Sequence, residues 1–391
     1  MSARFPYPPL RGDQVRAYHQ LRLLGPKHRI TLLSLTDSQV PPEALQTVEA
    51  YCERVVTLPL RRRQMATGLL RKIFSTHPLQ TAIYQTLEMQ NTVRHMLSTQ
   101  AYDLAHIQLA RMAPYLEDER SIPRVIDLID ALSLNMKRRF QRDRSPLKWM
   151  AYLEWKRLSR YERTICQMFD QVTVVSPVDY QAIGAYPNLV INANGVDLSK
   201  FSFATGEREP NSLIFSGNMG YFPNVNAVLW FAQHVLPLIK KTIPNIKLYV
   251  VGARPTREIK RLARQDPAII VTGFVESVAA YLKQATVAVV PMQAGSGQQF
   301  KIIEAMACGT PVVATSYALG GIEATDSEHL LIANEVDAFA YQVTRLLQDQ
   351  NLARCLAYNA RRLAETKYTW ERSVAELEKT YYSILSRSNR A

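Results

Sequence analysis

The 391-residue chain holds only four cysteines, Cys52, Cys166, Cys308 and Cys355, widely scattered and with no CxxC pair. That spacing excludes a disulfide framework and a zinc ribbon, and it reads as reduced cytosolic thiols. The seven histidines are scattered too, with no pair at metal-ligand spacing. No apolar run approaches the roughly 18–20 residues that span a bilayer. The opening Met1–Pro6 lacks the apolar core of a secretory signal, so a cytoplasmic location is expected. No Gly-Lys-Ser/Thr occurs, which removes a Walker loop. An aromatic-rich RNA motif and a helix-turn-helix pattern are lacking as well.

What is present describes a globular enzyme-sized chain. Hydrophobic residues make up 47% and charged residues 21%, and the length exceeds one ordinary core, so two domains are expected. The net charge of +13 is uneven: residues 1–200 carry 27 Lys and Arg against 18 Asp and Glu. The cations cluster at Arg61-Arg62-Arg63 with Arg71-Lys72, and in a run from Lys137 to Arg163. A basic face of this kind suits nucleic acid, an anionic membrane surface or a phosphate-bearing acceptor, and a merely solvated helix face is the plain alternative.

Strand and helix patterns alternate nearly throughout, which predicts an α/β protein with parallel sheets. The first array has strand candidates at 29–35, 54–58, 102–107, 124–129 and 171–176, with a long amphipathic stretch over 134–168 broken near Pro146. The second has them at 212–216, 247–252, 269–272, 286–291 and 311–315. A polar segment at Asn192–Pro210 separates the arrays. Met1–Phe5 is too short and polar for a good central strand. Either the start is late or the first sheet lacks its usual first strand, and a truncated start is the expectation.

The richest segment is 285–315, ATVAVVPMQAGSGQQFKIIEAMACGTPVVAT. An apolar strand leads into Gly295-Ser296-Gly297, then a helix from about Gln298, then Gly309 at the place of a left-handed cap, with Pro311 stopping the helix. Glycines at the carboxyl end of a parallel strand let backbone N–H groups approach an anion, and the helix N-terminus adds positive potential. Lys301 and Glu304 are spaced i, i+3 and share a face. The lysine is placed to neutralise a diphosphate, the acid to accept hydrogen bonds from ribose hydroxyls. A surface ion pair is the alternative. A dinucleotide fingerprint is excluded, because Phe300 stands where its last glycine belongs.

The segment Phe300–Thr315 closely resembles the signature of the retaining family-4 (group 1) glycosyltransferases of the GT-B type. Further likenesses run in order along the chain: the loop Phe5–Pro9 with Gly12, the strand start His28–Leu32, Val174–Ser176 with Asp179, Asn194–Asp197, Ser216–Met219 with Pro223-Asn224, Val271–Val275, and Trp370 with the last helix. The pattern is most similar to the branch associated with exopolysaccharide assembly and exosortase systems. The resemblance implies two Rossmann-like domains facing across a cleft, residues 1–195 and 196–369, with a C-terminal helix at 370–391 crossing back to the first. It implies retaining transfer from a nucleotide sugar to a glycan or lipid-linked acceptor, with no obligatory cofactor or metal. Glu304 would bind the donor ribose. The family's other motif glutamate is replaced here by Ser296, and its basic residue after the first strand of the second domain by Asn218 and Met219. Donor contacts are therefore expected from Gly12, Gly217, Asn218, Gly295, Ser296, Gly297, Lys301 and Glu304, with Lys301 also catalytic.

In the first domain, Asp130 ends an apolar strand where open α/β sheets present functional groups, and the resemblance implies a role near the transferred sugar. A helix N-cap is the alternative. Asp127 reads as an internal carboxylate and His106 as structural, whereas Arg11 or Arg16 is a candidate to assist at the diphosphate. The competing functions are an epimerase or phosphorylase of the same plan, or a basic RNA- or membrane-binding protein. The basic first domain is expected to make peripheral contact with anionic lipid or a lipid-linked acceptor.

Overall fold

A computed structural model describes residues 1–61, 63, 65, 75–142, 145–294 and 297–388. The basic run at 61–72 and Arg144 fall largely outside this set. Two compact units divide the chain, Met1–Ala193 with Trp370–Ala391, and Asn194–Thr369.

In the first unit, β1 (Thr31–Thr36) pairs in parallel with β2 (Arg54–Pro59), and β3 (Ala105–Gln108), β4 (Arg124–Ile129), β5 (Gln171–Val174) and β6 (Leu189–Ile191) form a second parallel set. The first-strand position is not vacant. Ser2 pairs in parallel with Ser34, and the Gln108 N–H donates to the Met1 carbonyl at 3.0 Å, so the opening residues stand between β1 and β3. Every residue of β4 is buried, as expected for an interior parallel strand. The predicted long helix is two, Leu132–Arg142 and Lys148–Met168.

A buried polar cluster fastens this unit together. Arg16 donates to Asp127 at 2.5 Å and to Asn192 at 2.7 Å, and Gln20 donates to Asp127 at 3.0 Å. Asn192 in turn donates to the Ser373 carbonyl at 2.8 Å, while Trp370 stacks on His19 with ring centroids 4.8 Å apart. The residues where the chain leaves the unit and where it returns are thus held on the Gly12–Leu24 helix. Burial would push the Asp127 pKa up, but the adjoining Arg16 guanidinium holds it below the usual carboxylate range.

The second unit is one sheet of six parallel strands in the order β12 (Leu331–Ile332), β11 (Val312–Ala314), β10 (Ala285–Val290), β7 (Glu209–Ser216), β8 (Lys247–Val251), β9 (Ile269–Gly273). The order reverses between β7 and β10, and in open sheets of this kind the crevice at such a switch point receives ligands. Arg208 secures the far side. Its guanidinium donates to the carbonyls of Ala285 at 2.7 Å and Gly309 at 2.7 Å, gathering two helix C-termini whose exposed carbonyls attract a cation.

The carboxyl edge of this sheet is bare of side chains at three strands in succession, since Gly217, Gly252 and Gly273 follow or end β7, β8 and β9 at φ 155°, 146° and 73°. A Cβ on Gly252 would lie 1.9 Å from the Gly217 carbonyl oxygen. We expect Gly252→Ala to destabilise this unit by on the order of 3 kcal/mol through that overlap and the backbone strain. Urea unfolding checks it, and a wild-type midpoint would contradict the close packing.

Candidate active site

The helix Phe300–Ala307 is placed by its apolar face, since Ile302, Ile303, Ala305, Met306 and Ala307 are buried. Gly309 ends it at φ 65°, its N–H bonded to the Met306 carbonyl at 3.0 Å. The helix begins two residues later than the spacing predicts, and Gln298 is used otherwise. Its side-chain oxygen accepts the Asn194 N–H at 2.8 Å, tying the loop before the helix to the start of the unit.

Lys301 and Glu304 remain on the other face, both mostly buried. They do not form the surface ion pair that the spacing alone permits: among the described residues Lys301 has no carboxylate at ion-pair distance. Its ammonium donates to Asn224 Oδ1 and to Gln299 Oε1, each at 3.1 Å, and lies 5.3 Å from the centre of the Phe215 ring. Burial lowers its pKa to about 8, against the raising effect of Glu304. Burial likewise raises the Glu304 pKa to about 7, offset by Lys200 and Lys301. Burial thus drives both groups toward neutrality, and their mutual attraction only partly offsets it, a perturbation common at functional sites.

Around the lysine, Asn224 donates from its amide to the Asn218 carbonyl at 3.0 Å. Asn218 Oδ1 accepts the Gly220 N–H at 2.9 Å, closing the loop after β7. Gln299 donates to the Gly297 carbonyl at 3.4 Å. Gly217, Asn218, Gly297 and Lys301 are therefore linked at the switch between β7 and β10, with Glu304 one helical turn further along. Asn224 and Gln299 join them, although sequence reasoning assigns neither a role. The signal for Asn224 is its position in the loop–helix opening after β7; nothing local marks Gln299. Gly295 and Ser296 lie outside the described residues.

The remaining candidates belong to the first unit. Gly12 is the exposed first residue of its helix, and Arg11 beside it is exposed too. Asp130 follows Ile129, whose φ of 63° turns the chain out of β4. The helix entered there draws on other carboxylates: Asp179 accepts the Ala131 N–H and Glu162 the Ser133 N–H, both at 3.0 Å. Arg16 must be reassigned. Its guanidinium is fully buried against Asp127 and Asn192, so it is structural and not a phosphate ligand. His106 is half-buried and bonded to the Tyr381 hydroxyl, and desolvation lowers its pKa to about 4.

Comparison with known proteins gives the arrangement its context. Residues 210–349 match the family model described as Glycosyl transferases group 1. Over 381 residues the chain is 20% identical to an uncharacterised 44.6 kDa protein in the cps region of Klebsiella pneumoniae, covering 94% of this chain and 95% of that one. Its fold is similar to sucrose-phosphate synthase of Thermosynechococcus elongatus, with a TM-score of 0.73, 17% identity and 99% of both chains covered. It is also similar to Anabaena HepE in complex with UDP and glucose, with a TM-score of 0.70, 15% identity and 98% of both chains covered. At such identities the structural likeness is one of fold, the GT-B fold.

Proposed function

We propose that this chain, a glycosyltransferase by its group 1 domain at residues 210–349, moves a sugar from a nucleoside-diphosphate donor to a glycan or lipid-linked acceptor. The reading includes retention of anomeric configuration and a place in cell-surface polysaccharide synthesis. The observation that carries it is the ammonium of Lys301, held at the sheet's switch point between two amide oxygens with no carboxylate at ion-pair distance among the described residues. A diphosphate supplies the missing charge. Glu304, one turn on, suits the paired hydroxyls of a ribose. The complex of Anabaena HepE with UDP and glucose supports a nucleotide sugar, and the relative from a cps region supports the polysaccharide role.

Departure of the nucleoside diphosphate builds negative charge on its leaving oxygen. Lys301 and main-chain N–H groups of the glycine-lined edge stabilise that charge without reorganising, which is the larger part of such catalysis. Asp130 is assigned to the sugar side, receiving the acceptor's proton or facing the oxocarbenium-like charge. The reading asks for no obligatory metal or cofactor beyond the donor.

The test is a thermal-shift panel of UDP, GDP, ADP and their sugars, since a ligand that binds the folded state raises apparent stability. One nucleotide series should raise the midpoint at neutral pH. The pH dependence is specific. In the free protein Lys301 loses its proton near pH 8, not 10.5, whereas a bound diphosphate keeps it charged. Affinity should therefore fall as pH rises past 8, by up to about tenfold per unit. A panel without any shift, or an affinity flat through this window, sinks the assignment. Product analysis by NMR decides the rest: a retained anomeric linkage supports transfer, while free nucleotide and an epimer formed without acceptor would mean an epimerase.

A further inference from the structure

The helical hairpin Leu132–Arg142 and Lys148–Met168 carries a surface that glycosyl transfer does not use. On it Leu147, Trp149, Met150 and Leu153 are 57%, 58%, 60% and 56% exposed, a contiguous apolar tip at the start of the second helix. Monomeric proteins rarely leave such a patch open without a use. Behind the tip Phe140, Trp149, Tyr152 and Trp155 pack on one another with centroids 5.2–6.4 Å apart, and none belongs to the unit's main core. Lys148 lies 5.7 Å from the Trp149 ring and Lys156 lies 4.8 Å from the Trp155 ring, so ammonium groups border the aromatic cluster.

Charge separates this surface from an ordinary solvated face. Residues 132–168 contain ten Lys and Arg against three Asp and Glu. Two of those acids are turned inward: Glu154 is 6% exposed and accepts the N–H groups of Leu79 and Gln80, and Glu162 is 1% exposed and accepts that of Ser133. What faces outward is almost wholly cationic. Next to the aromatic cluster run two adjoining open grooves of 460 and 370 Å³ that share Trp155, Ser159 and Arg163 and have no acid in either wall.

We infer that this hairpin is a docking surface for an anionic phospholipid bilayer: Leu147, Trp149, Met150 and Leu153 enter the interface, and Lys137, Lys148, Lys156, Arg160 and Arg163 meet the headgroup phosphates. Among the described residues no helix is long and apolar enough to cross a membrane, so the contact lies on the bilayer and does not span it. Aromatic rings, aliphatic tips and flanking cations are the combination that partitions to the level of the headgroups. A second copy of the chain is disfavoured as occupant, because two such faces would oppose like charge. RNA would make no use of the leucine and methionine tip.

Co-sedimentation of the full chain with vesicles tests this, comparing pure phosphatidylcholine with phosphatidylcholine mixed with phosphatidylglycerol. Binding should require the anionic lipid, weaken at high salt, and shift tryptophan emission to the blue. Lys148→Ala with Lys156→Ala should weaken partitioning about twenty-five-fold, roughly fivefold per charge. Trp149→Ala with Leu153→Ala should abolish the emission shift and lower binding about tenfold or more. Both are surface changes and should leave the nucleotide thermal shift unaltered, so failure here is separable from failure of the donor site. Equal binding to both vesicle types, no binding to either, or a dimer in light scattering that Trp149→Ala dissolves would each overturn the inference. So would RNA affinity that survives loss of the apolar tip.

Discussion

Lys301→Ala should lower turnover by about ten- to a thousandfold, the range for removing one preorganised donor from a developing oxyanion. The variant should nevertheless fold. The lysine's ammonium is mostly buried beside Asn224 and Gln299, and among the described residues it has no ion pair to offset its desolvation, so truncation removes a costly charge as well as a donor. Urea unfolding of the ligand-free variant should therefore match or exceed the wild type, while the nucleotide thermal shift shrinks. Lys301→Arg separates charge from shape: it keeps the cation but cannot place a compact ammonium between the two amides, and should recover only part of the activity. Unchanged turnover in purified Lys301→Ala would remove this residue from the site.

Asp127→Ala should destabilise the first unit by about 3–5 kcal/mol, because it takes the carboxylate away from a charged Arg16 where both side chains are fully buried. Asp127→Asn should cost less, since the amide oxygen can still accept from Gln20, which now bonds the carboxylate at 3.0 Å. A double replacement, Arg16→Met with Asp127→Leu, should recover part of the loss and no more. Arg16 also donates to Asn192, and removing it takes one of the donors from a buried amide oxygen that keeps the Ser373 hydroxyl at 2.9 Å. Chemical unfolding followed through the first unit's tryptophans, with Trp370 stacked on His19, reads the change directly. A loss below about 1 kcal/mol for Asp127→Ala would mean that water or neighbours reach the pair.

The sequence disclosed most of the sheets, because interior parallel strands are runs of apolar residues that nothing else explains. It did not disclose β6 and β12, which are three and two residues long at sheet edges. Such stubs carry too few residues for a periodic signal. In the site, the shared face of Lys301 and Glu304 follows from helical spacing. Asn224 does not, because it stands 77 residues away and only the fold brings it to the lysine. The structural role of Arg16 is hidden for a related reason: one cation on a helix reads as available to a phosphate until its partner is known, and Asp127 lies 111 positions further on. The clue was on the other side, since an acid inside an otherwise apolar strand demands a counter-ion somewhere. The opening residues, polar and short, gain their place in the sheet from hydrogen bonds with strands on both sides, which local sequence cannot express.

The three glycines along the rim of the second unit leave that rim with main-chain amides as its own contribution to recognition. Amides neither titrate nor differ from one residue to the next, so the rim offers the same welcome to any anion of suitable shape. Choice among bases and sugars must then reside in the loops that follow the rim's strands. Exchanging those loops should redirect the enzyme more readily than point changes on the rim, where a carbon added at Gly252 first collides with the backbone of Gly217.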